Sequence, residues 1–287
     1  MPYFKMKNNV IIVDEKELKT KIDKIAKAGK DKLLIVADFG RTFTKCFVNG
    51  EKISTSFAQI REKHYLGEEY QKKANELFNK YHPIEIDPNL DLEEKIPTLT
   101  KWWKEHLELM VKYGLTRNII VDNIVMKNLV PLREGFNEFI YALNNNNIPL
   151  VIISQGVGDI YLEALKQEKL FNDNTYFITN LFEFNENGKA KKVKDTIIHP
   201  YNKHKIDFSN FSFYNKIKNK SSVILVGDSL EDLGMIKNLK YDNLIKIGFL
   251  NENIEENLDE YKKNFDVIIL NDGNFDYING MILEMFS

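Results

Sequence analysis

The fold is decided by Leu33-Leu34-Ile35-Val36-Ala37, an unbroken apolar run that ends at Asp38. Such a run is typical of a strand that is buried on both faces, as in a parallel sheet with helices on each side. Because the run ends in Asp38, the strand would deliver a carboxylate to the edge of the sheet. Ligands of open α/β sheets bind beyond the carboxyl ends of the strands, so Asp38 is a candidate functional residue.

Similar apolar runs recur along the chain and alternate with helical patterns. Further strands are predicted at 9–13, 149–153, 223–226, 244–249 and 267–270. Helices are predicted at 15–30, 135–143 and 159–165. This alternation predicts a doubly wound, largely parallel α/β sheet. Since Ser154 and Asp228 also follow predicted strands, both should meet Asp38 at one edge of the sheet.

The stretch 45–130 has a different character, because helical patterns dominate it and no apolar strand run interrupts them. It carries the aromatic pair Trp102 and Trp103, and it is punctuated by three prolines, Pro83, Pro88 and Pro97. We therefore predict a helical cap domain at 45–130, inserted after the first core strand. The core would then consist of 1–44 and 131–287.

Composition narrows the class of protein. The 287 residues are 43% hydrophobic and carry a net charge of −2, which gives no electrostatic reason to expect a nucleic acid polymer or an anionic membrane as partner. No apolar run reaches the roughly 20 residues needed to span a bilayer, and no signal-peptide apolar region follows Met1. We expect a cytoplasmic protein in which Cys46, the single cysteine, is a small packed residue.

The first motif is Asp38-Phe39-Gly40-Arg41-Thr42-Phe43-Thr44. An aspartate at the tip of a buried strand can attack phosphorus and form an aspartyl phosphate, although a plain turn of Asp, Gly and Thr has the same composition. The first three residues also spell the DFG motif of protein kinases. Only 37 residues precede Asp38 and no HRD sequence occurs, so the kinase match is attributed to chance.

The motif Gly227-Asp228-Ser229-Leu230-Glu231-Asp232 follows another predicted strand. Two carboxylates at this spacing suit Mg²⁺ in a loop beside phosphate. The alternative is a capping box at a helix start, since Ser229 and Asp232 match S-x-x-D. The two interpretations are compatible, because a capped helix can also aim Asp228 at a metal.

Two further positions suit phosphate binding. Ser154, followed by Gln155 and Gly156, would place a hydroxyl at a strand end just before a helix N-terminus, which is a natural phosphate cradle; a simple N-cap serine is the alternative. Lys203 could neutralise the phosphate. Because lysines are abundant in this chain, a surface position is the alternative for Lys203.

The order of these motifs adds more than each motif alone. Strand-Asp, strand-Ser, Lys and strand-Gly-Asp-x-x-x-Asp is the order that the haloacid dehalogenase phosphatases present. A closer resemblance, to the cytosolic 5′-nucleotidase III (pyrimidine 5′-nucleotidase) family, extends from about Asp38 to the C-terminus. It is carried by Tyr81-His82-Pro83-Ile84-Glu85-Ile86-Asp87-Pro88, Leu132-Arg133-Glu134-Gly135, Ile148-Pro149-Leu150, Gly158-Asp159-Ile160 and Ile247-Gly248-Phe249-Leu250-Asn251.

The resemblance implies a Rossmann-like core of haloacid dehalogenase type under a helical cap. It also implies Mg²⁺-dependent hydrolysis of nucleoside 5′-monophosphates, typically UMP and CMP. We expect a monomer or a weak homodimer. By position, the resemblance implies that Asp38 is the nucleophile and a metal ligand, and that the Gly40 carbonyl, Asp228 and Asp232 belong to the metal site. It implies that the phosphate is bound by Ser154, Gln155 and Lys203. It also implies that Glu85 contacts the base and that His106 lies at a further nucleotide contact.

Two positions depart from the family pattern. At the contact near His106 the family has a smaller residue, so base preference is open there, and a partly buried helix residue is the alternative for His106. At Gly40 the family has a second aspartate, which protonates the leaving nucleoside oxygen and then deprotonates water. Loss of such a group typically costs about 10²- to 10⁴-fold in rate.

The glycine leaves three hypotheses open. The first is a slowed 5′-nucleotidase, whose activity the substitution Gly40→Asp should raise. The second is a nucleotide-binding protein without turnover. The third is a superfamily hydrolase of different chemistry, such as phosphonate cleavage, because some superfamily members that cleave carbon–phosphorus or carbon–halogen bonds also lack this aspartate.

Overall fold

The computed structural model describes residues 9–286. The strands are β1 Val10–Ile12, β2 Leu33–Ala37, β3 Phe47–Val48, β4 Glu51–Lys52, β5 Leu150–Val157, β6 Thr175–Asn180, β7 Phe182–Phe184, β8 Ala190–Val193, β9 Ser222–Gly227, β10 Asn243–Leu250 and β11 Val267–Leu270. The α-helices are α1 Glu15–Ala28, α2 Ser56–Glu62, α3 Glu68–Ile86, α4 Leu92–Lys112, α5 Arg117–Ile120, α6 Phe136–Asn145, α7 Gly158–Gln167, α8 Tyr214–Ile217, α9 Ile254–Asn264 and α10 Asp276–Phe286. Short 3₁₀ helices lie at Lys30–Lys32, Pro200–Lys205, Phe208–Asn210 and Leu230–Ile236, and a π-helical turn at Val121–Val125.

Seven strands form the central sheet in the order β1-β11-β10-β9-β2-β5-β6. All neighbouring strands are parallel except β1, which pairs with β11 in the antiparallel sense. Strands β2 and β9 are completely buried, as their apolar runs predicted. The prediction of a largely parallel α/β sheet is therefore confirmed, with one antiparallel edge strand added.

The sheet differs from the prediction at the edge formed by β5 and β6. The sequence analysis missed β6, whose Tyr176 and Phe177 are half-buried, because an edge strand need not be continuously apolar. It also ended β5 too early. The strand continues through Ser154 to Val157, with an irregular register between these two residues, and α7 begins only at Gly158. Ser154 is therefore separated from the helix by three residues, rather than lying just before it as predicted.

The helices α2 to α5 lie between Thr44 and Leu132, which pair as an isolated antiparallel bridge. Next to this bridge, the Lys45 amide donates to the Pro131 carbonyl at 2.8 Å. The chain thus leaves the sheet and returns to it at one point. The boundaries 45–130 for a cap domain stay a prediction.

Two of the prolines that were expected to interrupt this stretch lie inside helices, Pro83 in α3 and Pro97 in α4. An interior proline costs a helix about 3 kcal/mol, because it removes one hydrogen bond and crowds the preceding turn. Both helices nevertheless continue, since they pack against each other around Tyr81, Leu99 and Trp102. Tertiary packing therefore outweighs the local helix-breaking signal here.

The buried apolar side chains form a large cluster beneath α1, α6 and α10 and a second cluster on the other face of the sheet. Cys46 is buried and not in a disulfide, as predicted. Across residues 9–286, no helix combines the length and the apolar character that a bilayer crossing requires.

Candidate active site

Asp38 and Asp228 lie side by side because the strands that they follow are neighbours. Ala37 at the end of β2 is in register with Val226 near the end of β9. The ladder continues one step further, since the Asp38 amide donates to the Val226 carbonyl at 3.1 Å. Both aspartates line one cavity. The structure thus brings together the two carboxylates that the sequence placed at one sheet edge.

Lys203 is a buried cation between two carboxylates, rather than a surface residue. It lies in the 3₁₀ helix Pro200–Lys205, and its Nζ donates to Asp38 Oδ1 at 2.7 Å and to Asp232 Oδ1 at 2.6 Å. Burial alone would lower the pKa of Lys203, but the two carboxylates raise it well above its usual range. Lys203 is therefore positively charged at every physiological pH.

Burial raises the pKa of Asp38 to about 7, even though Lys203 pulls it down. The pKa of Asp228 is also raised, chiefly by burial and then by the charges of Asp232 and Asp38, which Lys203 and Arg41 do not fully offset. Three carboxyl groups, of which Asp38 and Asp232 are buried and Asp228 is partly exposed, thus share the positive charge of the buried Lys203. This arrangement leaves a local excess of negative charge that a cation would relieve.

Asp232 has both of its oxygens engaged within the protein. While Oδ1 accepts from Lys203, Oδ2 accepts from the backbone amides of Asp228 and Ser229, each at 3.0 Å. The close approach of the Asp232 carboxylate to this loop requires a glycine at position 227, because a Cβ there would lie 2.6 Å from Asp232 Oδ2. Asp232 therefore fixes the loop that carries Asp228, and the expected S-x-x-D contact from carboxylate to amide is present.

The donor set fits Mg²⁺ of the kind that binds together with phosphate. Asp38 and Asp228 supply two carboxylates on adjacent loops, and Gly40 lies in the same cavity lining. Mg²⁺ typically takes one or two carboxylates and completes its shell with water and substrate phosphate. In the part of the chain described, no group of three or more His, Cys, Asp and Glu side chains forms a self-sufficient metal cage.

Arg133 is a buried residue beside the site to which the sequence analysis gave no role. Its side chain is 1% exposed and forms an ion pair with Asp272 at 2.9 Å. It also donates to the carbonyls of Thr42, at 2.8 Å, and of Arg41, whose φ of +61° is uncommon for a residue with a side chain. Arg133 thus holds the loop after Asp38 in place. The signal was present in Leu132-Arg133-Glu134-Gly135, which was recognised only as a family signature.

One cavity of about 550 Å³ joins the predicted residues, within the range of roughly 300–1,000 Å³ that is usual for small-molecule sites. The lining residues that lie in or beside the sheet, Asp38, Ser154, Lys203 and Asp228, are called the core wall below. The lining residues that lie on helices α2, α3 and α4, Phe57, Glu85, Trp103 and His106, are called the helical wall. The cavity is thus large enough for a small organic phosphate.

Gln155 and Trp103 connect the two walls. The indole Nε1 of Trp103 donates to the Gln155 carbonyl at 3.1 Å. The side-chain Oε1 of Gln155 is buried without a protein partner, and Gln155 lines the cavity. A buried acceptor in this position is available to a ligand.

Glu85 and His106 are the titratable groups of the helical wall that the sequence singled out. Burial raises the pKa of Glu85 to about 7, although Lys95 lowers it. Burial lowers the pKa of His106 to about 3, and its Nε2 lies 3.1 Å from the Tyr70 hydroxyl. At neutral pH the wall thus presents an uncharged imidazole and a carboxyl group that can either accept or donate a hydrogen bond.

Comparison with known proteins identifies the family. The model of the pyrimidine 5′-nucleotidase family matches this chain over residues 41–286. The chain belongs to this family. As a member of the pyrimidine 5′-nucleotidase family it is a hydrolase that acts as a nucleotide phosphatase, and the predicted enzyme class is confirmed.

Individual relatives agree with this assignment. The 7-methylguanosine phosphate-specific 5′-nucleotidase of Mus musculus is 33% identical over 278 residues, which cover 96% of this chain and 92% of the mouse protein. The crystal structure of cytosolic 5′-nucleotidase IIIB bound to cytidine is similar with a TM-score of 0.86 and 26% identity, over 98% of this chain and 95% of that one.

The wider fold group is also confirmed. A haloacid dehalogenase family hydrolase from Salmonella enterica serovar Typhi has a TM-score of 0.54 at 14% identity, covering 88% of this chain and 71% of that chain. At that identity the likeness shows the fold alone. This chain and that hydrolase therefore share the core fold that the sequence predicted.

Proposed function

We propose that the protein hydrolyses pyrimidine nucleoside 5′-monophosphates through an aspartyl phosphate on Asp38, with Mg²⁺ as cofactor. The observation that carries the proposal is the position of Asp38, at the end of a buried strand, in the cavity lining and 2.7 Å from Lys203. Family membership supports the reaction class. The cytidine in the cytosolic 5′-nucleotidase IIIB structure supports a pyrimidine nucleoside as ligand.

The core wall would bind and transfer the phosphoryl group. Asp38 would attack phosphorus, and the electron pair of the broken ester bond would go to the nucleoside 5′-oxygen. Lys203 and the Ser154 hydroxyl would hold phosphate oxygens as negative charge moves between them. The 5′-oxygen would take its proton from a water molecule in the cavity, and the hydroxide formed in this way would attack the aspartyl phosphate, which releases phosphate and restores the Asp38 carboxylate.

The metal would be held by Asp38, Asp228 and the Gly40 carbonyl. When bound, Mg²⁺ would neutralise phosphate charge and polarise the phosphoryl group. Asp232 would act as a positioning residue, because its two oxygens are committed to Lys203 and to the loop amides. This assignment gives Asp232 an indirect role in metal binding.

The reaction would be slowed at Gly40, which has no side chain to protonate the leaving oxygen. A general acid or base typically contributes about 10²- to 10⁴-fold to the rate. Turnover should therefore persist, supported by Lys203, Ser154 and the metal site, but at a reduced level.

The helical wall would receive the base. Phe57 and His106, with ring centroids 5.1 Å apart, and the neighbouring Trp103 offer flat surfaces for a nucleobase. Glu85 would contact polar atoms of the base, and the buried Gln155 Oε1 would accept from the nucleoside or its phosphate. Because several relatives are named for 7-methylguanosine phosphate, that nucleotide belongs in any substrate test.

Phosphate release from UMP, CMP and 7-methylguanosine 5′-monophosphate, with Mg²⁺ or with EDTA, tests the proposal. We expect Mg²⁺-dependent release from the pyrimidine nucleotides by the native protein and none by Asp38→Asn. Release at the level of Asp38→Asn for every nucleotide would overturn the proposal. Calorimetric binding of UMP without turnover would then identify a nucleotide-binding protein.

A further inference from the structure

A phosphate ester that loses a nucleoside needs a donor beside the leaving 5′-oxygen, because the oxygen gains negative charge as the bond breaks. Gly40 cannot provide one. Lys203 donates to Asp38 and to Asp232, and its third proton is directed to the phosphate oxygens in the proposed reaction. We therefore look for a donor to the leaving oxygen among the other side chains of the cavity.

The hydroxyl of Tyr161 lies over the bare backbone of Gly40. A Cβ built on Gly40 would be 3.3 Å from Tyr161 Oη, which is tighter than an ordinary van der Waals contact. A Cβ on Gly156 would collide with the same oxygen. The hydroxyl thus occupies a slot between two glycines, in the space that a side chain at position 40 would enter. Tyr161 also lines the cavity together with Asp38.

The ring and the hydroxyl of Tyr161 are both held firmly. The ring stacks on Phe39, with centroids 4.3 Å apart and an angle of 22° between the planes. The hydroxyl donates to Ser56 Oγ at 3.2 Å, and Ser56 Oγ also accepts from the Val157 amide at 3.0 Å. Tyr161 lies on α7 of the core and Ser56 on α2, so the pair connects the core to the helical wall.

Tyr161 remains a donor under all ordinary conditions. Its side chain is 5% exposed, and burial raises the pKa of its hydroxyl to about 12, against the opposing effect of the Ser56 and Ser154 hydroxyls. A hydroxyl can rotate about its C–O bond, so the proton that points to Ser56 can point into the cavity when a better acceptor arrives.

We propose that Tyr161 is a further catalytic residue, whose hydroxyl turns from Ser56 to donate a hydrogen bond to the leaving 5′-oxygen in place of a side chain at position 40. This inference rests on the proposed function. No proton is transferred to or from Tyr161 in the proposed step, because the leaving 5′-oxygen takes its proton from water; the hydrogen bond from Tyr161 stabilises the negative charge that develops before this transfer. The Tyr161 hydroxyl and a side chain at position 40 are thus alternative solutions that compete for one volume.

The first test compares leaving groups. Tyr161→Phe keeps the stack on Phe39 and removes only the hydroxyl. We expect it to lower kcat for UMP about 10- to 100-fold, the effect of losing one hydrogen bond to a charged group, and to leave kcat for p-nitrophenyl phosphate unchanged, because a nitrophenolate leaves without a donor. Tyr141→Phe, on the exposed face of α6, is the matched control and should change neither rate.

The second test asks whether the effect of Tyr161→Phe reverses when a carboxylate is present. In the Gly40→Asp background, removing the hydroxyl makes room for the new side chain, so Tyr161→Phe is expected to raise kcat for UMP. A purely structural role for Tyr161 predicts a loss in both backgrounds. Thermal unfolding of each variant, monitored by circular dichroism, shows whether the folded state is retained.

The outcomes separate this inference from the proposed function. Suppose that the native protein turns over UMP. The role of Tyr161 alone is then overturned if Tyr161→Phe leaves kcat for UMP unchanged, or if it lowers kcat equally for UMP and p-nitrophenyl phosphate. A loss both in the native chain and in the Gly40→Asp background also overturns it. Absence of turnover of any nucleotide by the native protein overturns the proposed function and this inference together.

Discussion

The two walls of the cavity are held together by different forces. In the core wall, Asp38 and Asp228 follow adjacent strands of the sheet, and Lys203 bonds to Asp38 at 2.7 Å deep in the interior. In the helical wall, Glu85 and His106 belong to α3 and α4, which pack through aromatic rings. The residues of the core wall are therefore positioned by ion pairs and by strand pairing, whereas those of the helical wall are positioned by the packing of apolar and aromatic side chains.

This difference separates chemistry from selectivity. Every phosphate monoester presents the same phosphoryl group, so changes in the core wall should affect all substrates equally. Bases differ, so changes in the helical wall should affect substrates unequally. Buried charges also contribute to stability, because removing one partner leaves the other uncompensated. Core-wall substitutions should thus reduce both activity and stability, whereas helical-wall substitutions should change mainly the KM.

The largest effect is expected for Lys203→Met. It should lower kcat about 10²- to 10³-fold for every nucleotide and reduce the free energy of unfolding by about 3–5 kcal/mol, because two buried carboxylates lose their cation. Phosphate release and urea unfolding measure the two effects. Lys205→Met, which removes an exposed lysine paired with Glu93, is the control and should change little. A loss of kcat confined to one nucleotide would show that the core wall also determines substrate selectivity, contrary to the difference between the walls proposed above.

The next effect is expected for Arg133→Met, which releases the loop after Asp38 and removes the ion-pair partner of Asp272, leaving that carboxylate with only the amides of Cys46 and Phe47 as donors. The free energy of unfolding should fall by about 3 kcal/mol or more. Urea unfolding measures this loss, and phosphate release should show a smaller kcat with an unchanged order of substrates. Arg117→Met, which removes an exposed arginine that pairs with the partly buried Glu163, serves as control. A changed substrate order would show that Arg133 acts on the helical wall as well.

A smaller effect is expected for Glu85→Gln. The amide retains the size of the side chain but loses the charge, so the KM for the preferred nucleotide should rise about tenfold while kcat remains close to native. Steady-state kinetics with UMP and CMP measure the change. Equal losses of kcat for all nucleotides would show that Glu85 contributes to phosphoryl transfer instead. The helical wall would then not be limited to substrate selectivity.

The smallest effect concerns pH. Because burial raises the pKa of Glu85 to about 7, with Lys95 opposing and Glu231 reinforcing the rise, folding favours its protonated form. Between pH 4.5 and about 7 the unfolded chain ionises Glu85 while the folded protein keeps it protonated, so the free energy of unfolding falls over this range and changes no further above it. Glu85→Gln should stabilise the protein at pH 8 and have little effect at pH 4, as thermal unfolding would show. Nearby Tyr201, whose pKa burial raises above 10, keeps its proton throughout.

Much of the core wall could be predicted from the sequence, because continuous apolar runs in the chain indicate which strands are buried. The runs that end at Asp38 and Asp228 predicted two adjacent polar loops, and the structure places both in one cavity. Lys203 could not be selected among many lysines by composition, and only the resemblance to the family singled it out. The extent of β5 beyond Ser154 also escaped prediction, because Gln155 and Gly156 carry no strand signal.

The sequence by itself determined the parallel sheet, the order of the motifs and the absence of a carboxylate at Gly40, because these depend on neighbouring residues and on periodic burial. Only the tertiary structure decided that Tyr161 fills the space above Gly40 and that Arg133 holds the loop after Asp38. These contacts join residues about 90 to 120 positions apart in the chain. Such contacts depend on how the helices pack against the sheet, which no local pattern encodes.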